Sequence, residues 1–500
     1  MIEPLADTDF PLLSRPRQRV RLRTLIVGAG EAGRVLARDL LRSPELGLEP
    51  LGFLDDNVVA EEVGGLPVIG TTAELAEVAH RHSIAAVIIA IPSLSNAEIR
   101  RLAEAAASAA VSVRYLPSFG AAIERDARIS DLRRMRVDQL LGRDELHVVR
   151  SDSRGLIQGK RVLVTGAGGS IGSELCRQIK GFDPGRLLML DHDESNLHRM
   201  LMELTGKALL DNPELIIADI RDRDRIRQLF RHWRPEVVFH AAAHKHLPLL
   251  EMHPCEGVKS NVLGTRWLVD AAREFGTERF ILISTDKAAD PTSVLGATKR
   301  LAEMIVEMNA GPPTKFASVR FGNVLGSRGS FLNVLTDQLQ NGEPITVTHS
   351  DMTRFFMTVE EAVGLVIEAA GLANAGETFV LDMGKPVKIL DLVHNTAALM
   401  HVGEEDLDIV FTGLRPGEKL DETLFSETEQ HVTTLHPRIW ATVRRAPDAE
   451  LGKYLDRLCE VAQRNRMHEV RTILAERFPE VGRPVTTTTD SMAAYYPDDF

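Results

Sequence analysis

The sequence predicts an α/β protein with two doubly wound parallel-sheet domains, the second carrying a smaller C-terminal substrate-binding lobe. Two glycine-rich turns lead to this prediction, one in RTLIVGAGEAGRVLARDLL and one in RVLVTGAGGSIGSELCRQIK. Each turn follows an apolar strand and opens an amphipathic helix, and further apolar strands alternate with helices after it. This succession is typical of Rossmann-like domains.

Length and composition indicate a multidomain globular protein. The chain has 500 residues, which is too many for a single core, and 44% of them are hydrophobic and 26% charged. The net charge of -12 argues against general binding to nucleic acids or membrane surfaces. Three cysteines are too few for a disulfide framework. Because no apolar run approaches the ~20 residues of a membrane span, we expect a cytoplasmic protein.

Composition also predicts the domain boundaries. We expect a flexible lead-in at 1–20, an N-terminal Rossmann-like domain at 21–145 and a linker at 146–158. The main domain is predicted at 159–480, with a flexible, polar tail at 481–500. The main domain should therefore hold the chemistry, because the acid/base candidates described below lie only there.

The function of the N-terminal domain is left open by its sequence. Gly28, Gly30 and Gly33 form its glycine turn, and Asp55 or Asp56 stands where a ribose-binding acid would lie. A dinucleotide site, a nucleotide-sugar site and a degenerate scaffold are all consistent with this single motif.

The second glycine turn predicts a dinucleotide site. Gly166, Gly169 and Gly172 have the spacing GxxGxxG, which points toward extended short-chain dehydrogenases, and Asp191 ends the next apolar run. An acid there can bind ribose hydroxyls and repels a 2′-phosphate, so we expect NAD, with NADP as the alternative. Asp219 ends a third strand, where an acid can receive the adenine amino group or cap a helix.

Three histidines lie at the end of the fourth strand or follow it. His240, His244 and His246 form a cluster that could suggest a metal site, but no cysteine or carboxylate with ligand spacing accompanies them. We therefore predict ligand-lining or structural histidines and no metal. The small residues 241–243 at the end of the same strand leave room for a ligand.

A hydroxyl, a carboxylate and an amine follow the apolar run 280–283. These are Thr285, Asp286 and Lys287, and Lys299 stands twelve residues after Lys287 on the next predicted helix. Such groups at the end of a central strand form a plausible acid/base set. The alternative is a helix-capping turn with a surface lysine.

At this point several longer motifs resemble one family. TGAGGSIGSEL, HAAAHKHLPLLE, STDKAADPTSVLGATKR, VRFGNVLGSRGS, DMTRFFMT and RPGEK, within about 160–425, resemble the polysaccharide-biosynthesis branch of extended short-chain dehydrogenases. Within this branch the sequence is most similar to UDP-N-acetylglucosamine 4,6-dehydratases of the large, usually membrane-associated type. Their N-terminal membrane helices are missing here, so the chain is either a naturally soluble variant or cut at the membrane boundary, where it would be membrane-peripheral.

The resemblance implies a mechanism and a set of site residues. Asp286 would be the acid and Lys287 the base of water elimination, Thr285 would hydrogen-bond the C4 oxygen, and burial beside the nicotinamide should lower the pKa of Lys287. The implied cofactor-binding residues are Gly166, Gly169, Ser170, Ile171, Gly172, Asp191, Asp219, Ile220, Ala241, Ala242 and Lys299. The implied UDP-sugar-binding residues are Lys245, His246, Asn261, Asn323, Arg328, Arg354, Arg415 and Glu418.

One position departs from the superfamily pattern. Short-chain dehydrogenases normally place a tyrosine four residues before the helical lysine, and here that residue is Leu295. The base for C4 oxidation is therefore left open. We predict a homo-oligomeric UDP-N-acetylglucosamine 4,6-dehydratase. A UDP-sugar 4-epimerase and a catalytically silent nucleotide-sugar sensor are the alternatives.

Overall fold

The computed structural model divides the chain into two compact units. The N-terminal unit comprises Met1–Glu145 and Ala398–Gly403, and the C-terminal unit comprises Leu146–Ala397 and Glu404–Phe500. The structure describes residues 22–42, 47–57, 62–91, 94, 98, 101–102, 105–106, 109, 111–115, 133–134, 151–206, 211–327, 329–400, 402–443 and 448–482. The predicted lead-in and nearly all of the predicted tail lie outside these residues.

The N-terminal unit contains a mainly parallel sheet. Its described strands are β1 (Leu22–Val27), β2 (Leu48–Leu54), β3 (Glu62–Val63), β4 (Leu66–Gly70), β5 (Ala86–Ile89), β6 (Ser112–Tyr115) and β7 (Arg133–Arg134). They lie in the order β3-β4-β2-β1-β5-β6-β7, and only the pairs β3/β4 and β6/β7 of these strands are antiparallel. The helices are α1 (Glu31–Arg42) and α2 (Leu75–Arg81), which a 3₁₀ turn at Thr72–Glu74 precedes.

The C-terminal unit is built on a nine-stranded sheet. Its strands and the short strands beside it are β8 (Arg161–Thr165), β9 (Arg186–Asp191), β10 (Leu215–Ile217), β11 (Val237–His240), β12 (Arg279–Ile283), β13 (Lys315–Arg320), β14 (Asn323–Val324), β15 (Ile345–Val347), β16 (Thr353–Arg354), β17 (Phe356–Met357), β18 (Glu377–Leu381), β19 (Val387–Lys388), β20 (Ile409–Phe411), β21 (His431–Thr433) and β22 (Ile439–Thr442). The sheet order is β10-β9-β8-β11-β12-β13-β18-β22-β21. Strands pair in parallel up to β18, and β22 and β21 close the edge antiparallel.

Helices connect these strands. The described α-helices are α3 (Ser151–Gly155), α4 (Ser170–Lys180), α5 (Glu194–Thr205), α6 (Arg223–Trp233), α7 (Leu247–Met252), α8 (Pro254–Gly257), α9 (Thr265–Phe275), α10 (Val294–Met308), α11 (Phe331–Asn341), α12 (Val359–Leu372), α13 (Ile389–Leu399), α14 (Leu451–Gln463) and α15 (Met467–Arg477). A π-helical segment, Val258–Gly264, joins α8 to α9, and 3₁₀ turns lie at Asp286–Ala288, Glu404–Asp406 and Pro479–Gly482. Within the described residues, no helix is long and apolar enough to cross a membrane.

The core of the C-terminal unit lies on both faces of this sheet, because successive side chains of a strand point to opposite faces. In β8, Val162 and Val164 belong to one buried cluster, which includes residues of α4 and α12, whereas Leu163 belongs to the other. The second cluster includes residues of α6, α9 and α10, together with the C-terminal helices α14 and α15. A mainly parallel sheet covered by helices on both faces confirms the predicted α/β fold class.

The sheet order determines where a ligand can bind. The chain runs outward from β8 through β9 to β10, then returns to β11 on the other side of β8 and continues to β12 and β13. The carboxyl ends of β8 and β11 therefore form a topological switch point, which is where open α/β sheets bind ligands. Most of the predicted site residues follow these strands or β12.

Candidate active site

A cleft of about 210 Å³ opens at the switch point. It is lined by Gly166, Gly169, Leu190, Asp191, His192, Asn196, Ala218, Asp219, Ile220, Arg221, Ala241, Ala242, Ala243, His244 and Ser260. The structure thus brings together seven of the predicted cofactor residues, from Gly166 to Ala242. Ser170, Ile171 and Gly172 lie in the first turn of α4 instead, and Lys299 lies on α10.

Two glycines allow close backbone contacts around the turn between β8 and α4. Gly166 has φ +66°, and a Cβ there would lie 2.7 Å from the Ala242 backbone nitrogen. A Cβ on Gly172 would lie 1.9 Å from the Gly166 carbonyl oxygen. A side chain at Gly172 would push the helix N-terminus away from the turn, and one at Gly166 would collide with the backbone that follows β11, so the glycines keep backbone N–H groups close to the cleft.

Asp191, the last residue of β9, is fixed by the turn that it faces. The Gly168 N–H donates to Asp191 Oδ2 at 2.9 Å, and the Asp193 N–H donates to Oδ1 at 3.1 Å. His192 lies beside it, with Nδ1 3.2 Å from Oδ1. The carboxylate therefore has a set orientation at the cleft wall, as a group that receives two ribose hydroxyls requires.

Arg221 lines the cleft beside Asp219, and the sequence analysis did not identify it. Arg221 donates from Nε and Nη2 to the Asp219 carboxylate at 2.6–3.0 Å and from Nη1 to Glu256 Oε2 at 2.9 Å. Burial alone would raise the pKa of Asp219, but the hydrogen bonds from Arg221 hold it below its ordinary value. The ADIRD run places this arginine two residues after Asp219, so a local signal for it exists.

The predicted acid/base residues lie together where β12 ends. Thr285 Oγ1 donates to Asp286 Oδ1 at 2.9 Å, and Lys287 Nζ donates to the same oxygen at 3.0 Å. Asp286 is only 1% exposed, and its Oδ2 has no hydrogen-bond partner among the described residues. A Cβ on Gly322 would lie 3.0 Å from this oxygen, so the glycine leaves space beside it.

Lys287 has further neighbours besides Asp286. Its amine lies 3.5 Å from Asn323 Oδ1 and 3.6 Å from Glu422 Oε1. Burial lowers the pKa of Lys287, but the charges of Asp286 and Glu422 outweigh it and the pKa is raised. Our expectation of a lowered pKa rests on burial beside the nicotinamide; in the chain without the cofactor, the neighbouring carboxylates, Asp286 before Glu422, raise the pKa instead.

Lys299 lies on α10, four residues after Leu295, and is buried. Its Nζ donates to the Ile283 carbonyl oxygen at 2.6 Å, which ties α10 to the end of β12. Burial lowers its pKa to about 8, against the opposing charge of Glu303. Leu295 itself is 5% exposed and belongs to the hydrophobic core.

Two predicted substrate residues, Asn261 and Arg354, form hydrogen bonds with backbone groups. The Asn261 amide accepts from the His244 N–H at 2.9 Å and donates to the His244 carbonyl and to Thr298 Oγ1, each at 3.1 Å. Arg354 donates to the carbonyl oxygens of Thr353, Lys419 and Leu420 at 2.6–2.8 Å. Both side chains thus have structural contacts, and their substrate roles stay predictions.

The other predicted substrate residues are spread around the site. Lys245 and His246 are exposed after β11, and a Cβ on Gly329 would lie 3.1 Å from His246 Cε1. Arg415 and Glu418 share a turn, in which the Arg415 N–H donates to Glu418 Oε2 at 3.1 Å. Arg328 lies outside the described residues.

His240 is bonded at both ring nitrogens. Nδ1 lies 2.7 Å from Thr165 Oγ1 and Nε2 lies 2.9 Å from Thr265 Oγ1. Because Thr265 donates its hydroxyl hydrogen to the Asn261 carbonyl, it must accept from Nε2, which leaves Nδ1 as an acceptor from Thr165. Burial lowers the pKa of His240 to about 3, so the ring is neutral and structural.

The N-terminal unit repeats the geometry of the glycine turn. The Ala29 N–H donates to Asp55 Oδ2 at 2.7 Å, as Gly168 does to Asp191, and a Cβ on Gly33 would lie 1.9 Å from the Gly28 carbonyl oxygen. Asp56 instead accepts from the Thr72 N–H and hydroxyl, each at 2.7 Å. Of the two candidate acids, Asp55 is the structural counterpart of Asp191.

Comparison with known proteins gives a family match in each unit. A family model for polysaccharide biosynthesis proteins matches residues 162–444, and a model for a CoA-binding domain matches residues 11–117. The probable polysaccharide biosynthesis protein EpsC of Bacillus subtilis is 45% identical over 432 residues, which cover 85% of this chain and 72% of EpsC.

More distant relatives cover about half of the chain. An inverting UDP-N-acetylglucosamine 4,6-dehydratase of Campylobacter jejuni is 31% identical over 280 residues, or 55% of this chain and 80% of the relative. A UDP-glucose 4-epimerase of Rickettsia rickettsii is 32% identical over 280 residues, or 54% and 79%. Among solved structures, Pen from Bacillus thuringiensis has a TM-score of 0.53 and 32% identity, covering 59% of this chain and 90% of Pen.

Proposed function

The chain belongs to the polysaccharide biosynthesis protein family, as its motifs indicated, and from this premise we propose that it is a UDP-N-acetylglucosamine 4,6-dehydratase that uses NAD. Enzymes that dehydrate or epimerise nucleotide sugars occur among its relatives. The 31% identical dehydratase of Campylobacter jejuni supports the choice of substrate, and the side chains after β12 support the choice of reaction.

The cleft residues fit NAD. The glycine turn leaves no room for a Cβ at Gly166 or Gly172, which suits close approach of a pyrophosphate to the backbone. Asp191 is held at the cleft wall, where a carboxylate favours free ribose hydroxyls over a 2′-phosphate. NAD held by these residues would supply hydride transfer from sugar C4 and back to C6.

The observation that carries the proposal is the contact between Asp286 and Lys287. Loss of water across C5 and C6 needs an acid at the C6 oxygen and a base at the C5 hydrogen. Lys287 Nζ and Thr285 Oγ1 both contact Asp286 Oδ1, while Oδ2 is buried with no partner among the described residues. An oxygen in this position can donate to a leaving hydroxyl once it is protonated.

The two residues can exchange the required proton directly. A neutral lysine beside a protonated aspartic acid has the same number of protons as the ion pair, and the two forms differ by one transfer over 3.0 Å. The raised pKa of Lys287 in the empty chain therefore does not prevent its action as a base. After elimination, Asp286 has given its proton to water and Lys287 holds the C5 proton, which restores the ion pair.

The same contact disfavours the alternatives. A 4-epimerase returns hydride to C4 and removes no proton from C5, so Asp286 and Lys287 would have no elimination step to perform. A sensor would need binding residues alone. A UDP-sugar as the small-molecule partner fits all three functions, and a homo-oligomer remains our expectation.

Mass spectrometry after incubation with NAD and UDP-N-acetylglucosamine tests the proposal. A product lighter by one water is expected. Lys287→Met and Asp286→Asn should each retain folding and nucleotide binding but lose dehydration, because each removes one partner of the elimination. A product of unchanged mass but new stereochemistry would identify an epimerase, and an unchanged substrate would favour the sensor.

A further inference from the structure

Glu422 is a buried carboxylate that contacts the Lys287 amine in addition to Asp286. We propose that Glu422 is a positioning residue that holds the Lys287 amine at the reaction site and stabilises its positive charge after it has taken the C5 proton. The inference rests on the proposed dehydratase function. Neither the glycine motifs nor the acid/base motif includes Glu422, which lies far along the chain from Lys287.

The geometry places the amine within reach of two carboxylates. Lys287 Nζ lies 3.0 Å from Asp286 Oδ1 and 3.6 Å from Glu422 Oε1. The side chains of Asp286 and Glu422 are 0% and 3% exposed, and that of Lys287 is 18% exposed. Charges that are so little screened by water interact more strongly than the same pairs at a surface.

The loop that carries Glu422 is anchored by backbone contacts. Arg354 donates to the carbonyl oxygens of Lys419 and Leu420, each at 2.8 Å. The Thr353 N–H donates to the Leu420 carbonyl oxygen at 3.2 Å, and the Thr353 hydroxyl donates to Asp421 Oδ1. These contacts fix the three residues before Glu422 and therefore the starting point of its side chain.

The second oxygen of Glu422 is incompletely paired. Oε2 is buried and has no hydrogen-bond partner among the described residues, like Asp286 Oδ2. Glutamates that only stabilise a fold are normally fully hydrogen-bonded when buried, because an unpaired buried carboxylate oxygen is costly. Two such oxygens on the carboxylates that contact one amine indicate a site arranged for reaction rather than for stability.

The charges around Lys287 predict the effect of removing Glu422. Asp286 and Glu422 raise the pKa of Lys287, whereas burial and the charge of Arg354 lower it. In Glu422→Gln, the shape is kept but one carboxylate charge is lost, so the pKa of Lys287 should fall. The same change removes charge stabilisation from the transition state in which Lys287 becomes positive.

The rate at which the Lys287 amine is acylated reports the effect of Glu422 on that amine, and it can be measured without catalytic turnover. Full-length wild type and Glu422→Gln are treated with acetic anhydride across a pH series, and the Lys287 peptide is quantified by mass spectrometry. Lys287 should react about tenfold faster at neutral pH in Glu422→Gln, since only the neutral amine reacts. Asp421→Asn is the matched control, because it removes the same charge from an exposed neighbour and keeps an oxygen for Thr353, and it should react as wild type does.

Steady-state kinetics with UDP-N-acetylglucosamine test the catalytic consequence. We expect kcat to fall about tenfold in Glu422→Gln with little change in KM, and the limb of the pH profile that reports Lys287 deprotonation to move to lower pH. Glu422→Asp, which keeps the charge, should recover part of kcat. Asp421→Asn should match wild type.

The two measurements separate failure of this inference from failure of the proposed function. Unchanged labelling together with unchanged kcat in Glu422→Gln would overturn the positioning role, as would an unshifted pH profile. If wild type does not dehydrate the sugar, the proposed function fails. Faster labelling in Glu422→Gln would then still establish that Glu422 controls Lys287, and equal labelling would reject it.

Discussion

Replacement of Gly172 by alanine tests whether the contact between β8 and α4 creates the cofactor site. The added Cβ would lie 1.9 Å from the Gly166 carbonyl oxygen, whereas ordinary contacts begin at 3.4 Å. The helix N-terminus must therefore move by about 1.5 Å, and such overpacking costs about 1–3 kcal/mol of unfolding free energy. The higher helix propensity of alanine offsets at most about 1 kcal/mol of this loss in unfolding free energy.

Displacement of the helix N–H groups should reduce the affinity for NAD more than it reduces the free energy of unfolding. Hydrogen bonds to a charged group contribute about 1.5–3 kcal/mol, so the Kd for NAD should rise about 10- to 100-fold. Calorimetric titration with NAD measures the Kd, and differential scanning calorimetry measures the Tm, which we expect to fall by a few degrees.

Two other glycines provide matched controls. Gly452→Ala lies in α14 with nothing within 4 Å of the new Cβ, so it should leave NAD binding unchanged and stabilise the helix slightly. In Gly33→Ala the new Cβ would lie 1.9 Å from the Gly28 carbonyl oxygen in the N-terminal unit. This substitution should therefore destabilise that unit and leave the affinity for NAD unchanged. Wild-type NAD affinity and Tm in Gly172→Ala would refute the reasoning.

Three further predictions follow from the same structure. Titration with both dinucleotides should give tighter binding of NAD than NADP, and Asp191→Ala should reduce this preference, because no carboxylate then repels a 2′-phosphate. The pKa of His240 is about 3 in the folded chain and ~6.5 in an unfolded one, so its contribution to stability is complete above about pH 6.5 and declines as the pH falls toward 3. Denaturant titrations should therefore show a smaller loss of unfolding free energy between about pH 7.5 and about pH 5 in His240→Gln than in wild type. Leu295→Tyr should give no gain in dehydration rate, because position 295 is packed in the core, and a large gain would mean that the native site lacks its oxidation base.

Local sequence patterns predicted residues that line the proposed cofactor cleft. Glycine spacing, the apolar runs and the acid at the end of β9 are all determined within about 30 residues. Such patterns were sufficient to place Gly166, Gly172 and Asp191, since the strand and helix that hold them are adjacent in the chain. The predicted dinucleotide fold was confirmed for the same reason.

The substrate end depends on contacts between distant segments. Glu422 reaches Lys287 from a loop that Arg354 and Thr353 anchor, and no local pattern encodes that contact. The pKa of Lys287 is likewise raised in part by Glu422, a carboxylate far along the chain, although the adjacent Asp286 contributes more. Likewise, the role of His240 became clear only from the hydroxyls of Thr165 and Thr265 on neighbouring elements.

The position of Leu295 narrows the choice of base for C4 oxidation. Leu295 is 5% exposed among core side chains and has no proton to exchange, so the route must begin elsewhere. In the proposed mechanism Thr285 contacts the C4 oxygen, and its Oγ1 already donates to Asp286 Oδ1 at 2.9 Å. A proton leaving the C4 hydroxyl can therefore pass through Thr285 to Asp286. This relay needs no tyrosine, and because Asp286 then holds the C4 proton, the Lys287 ammonium would release its own proton to solvent before it acts as the base at C5.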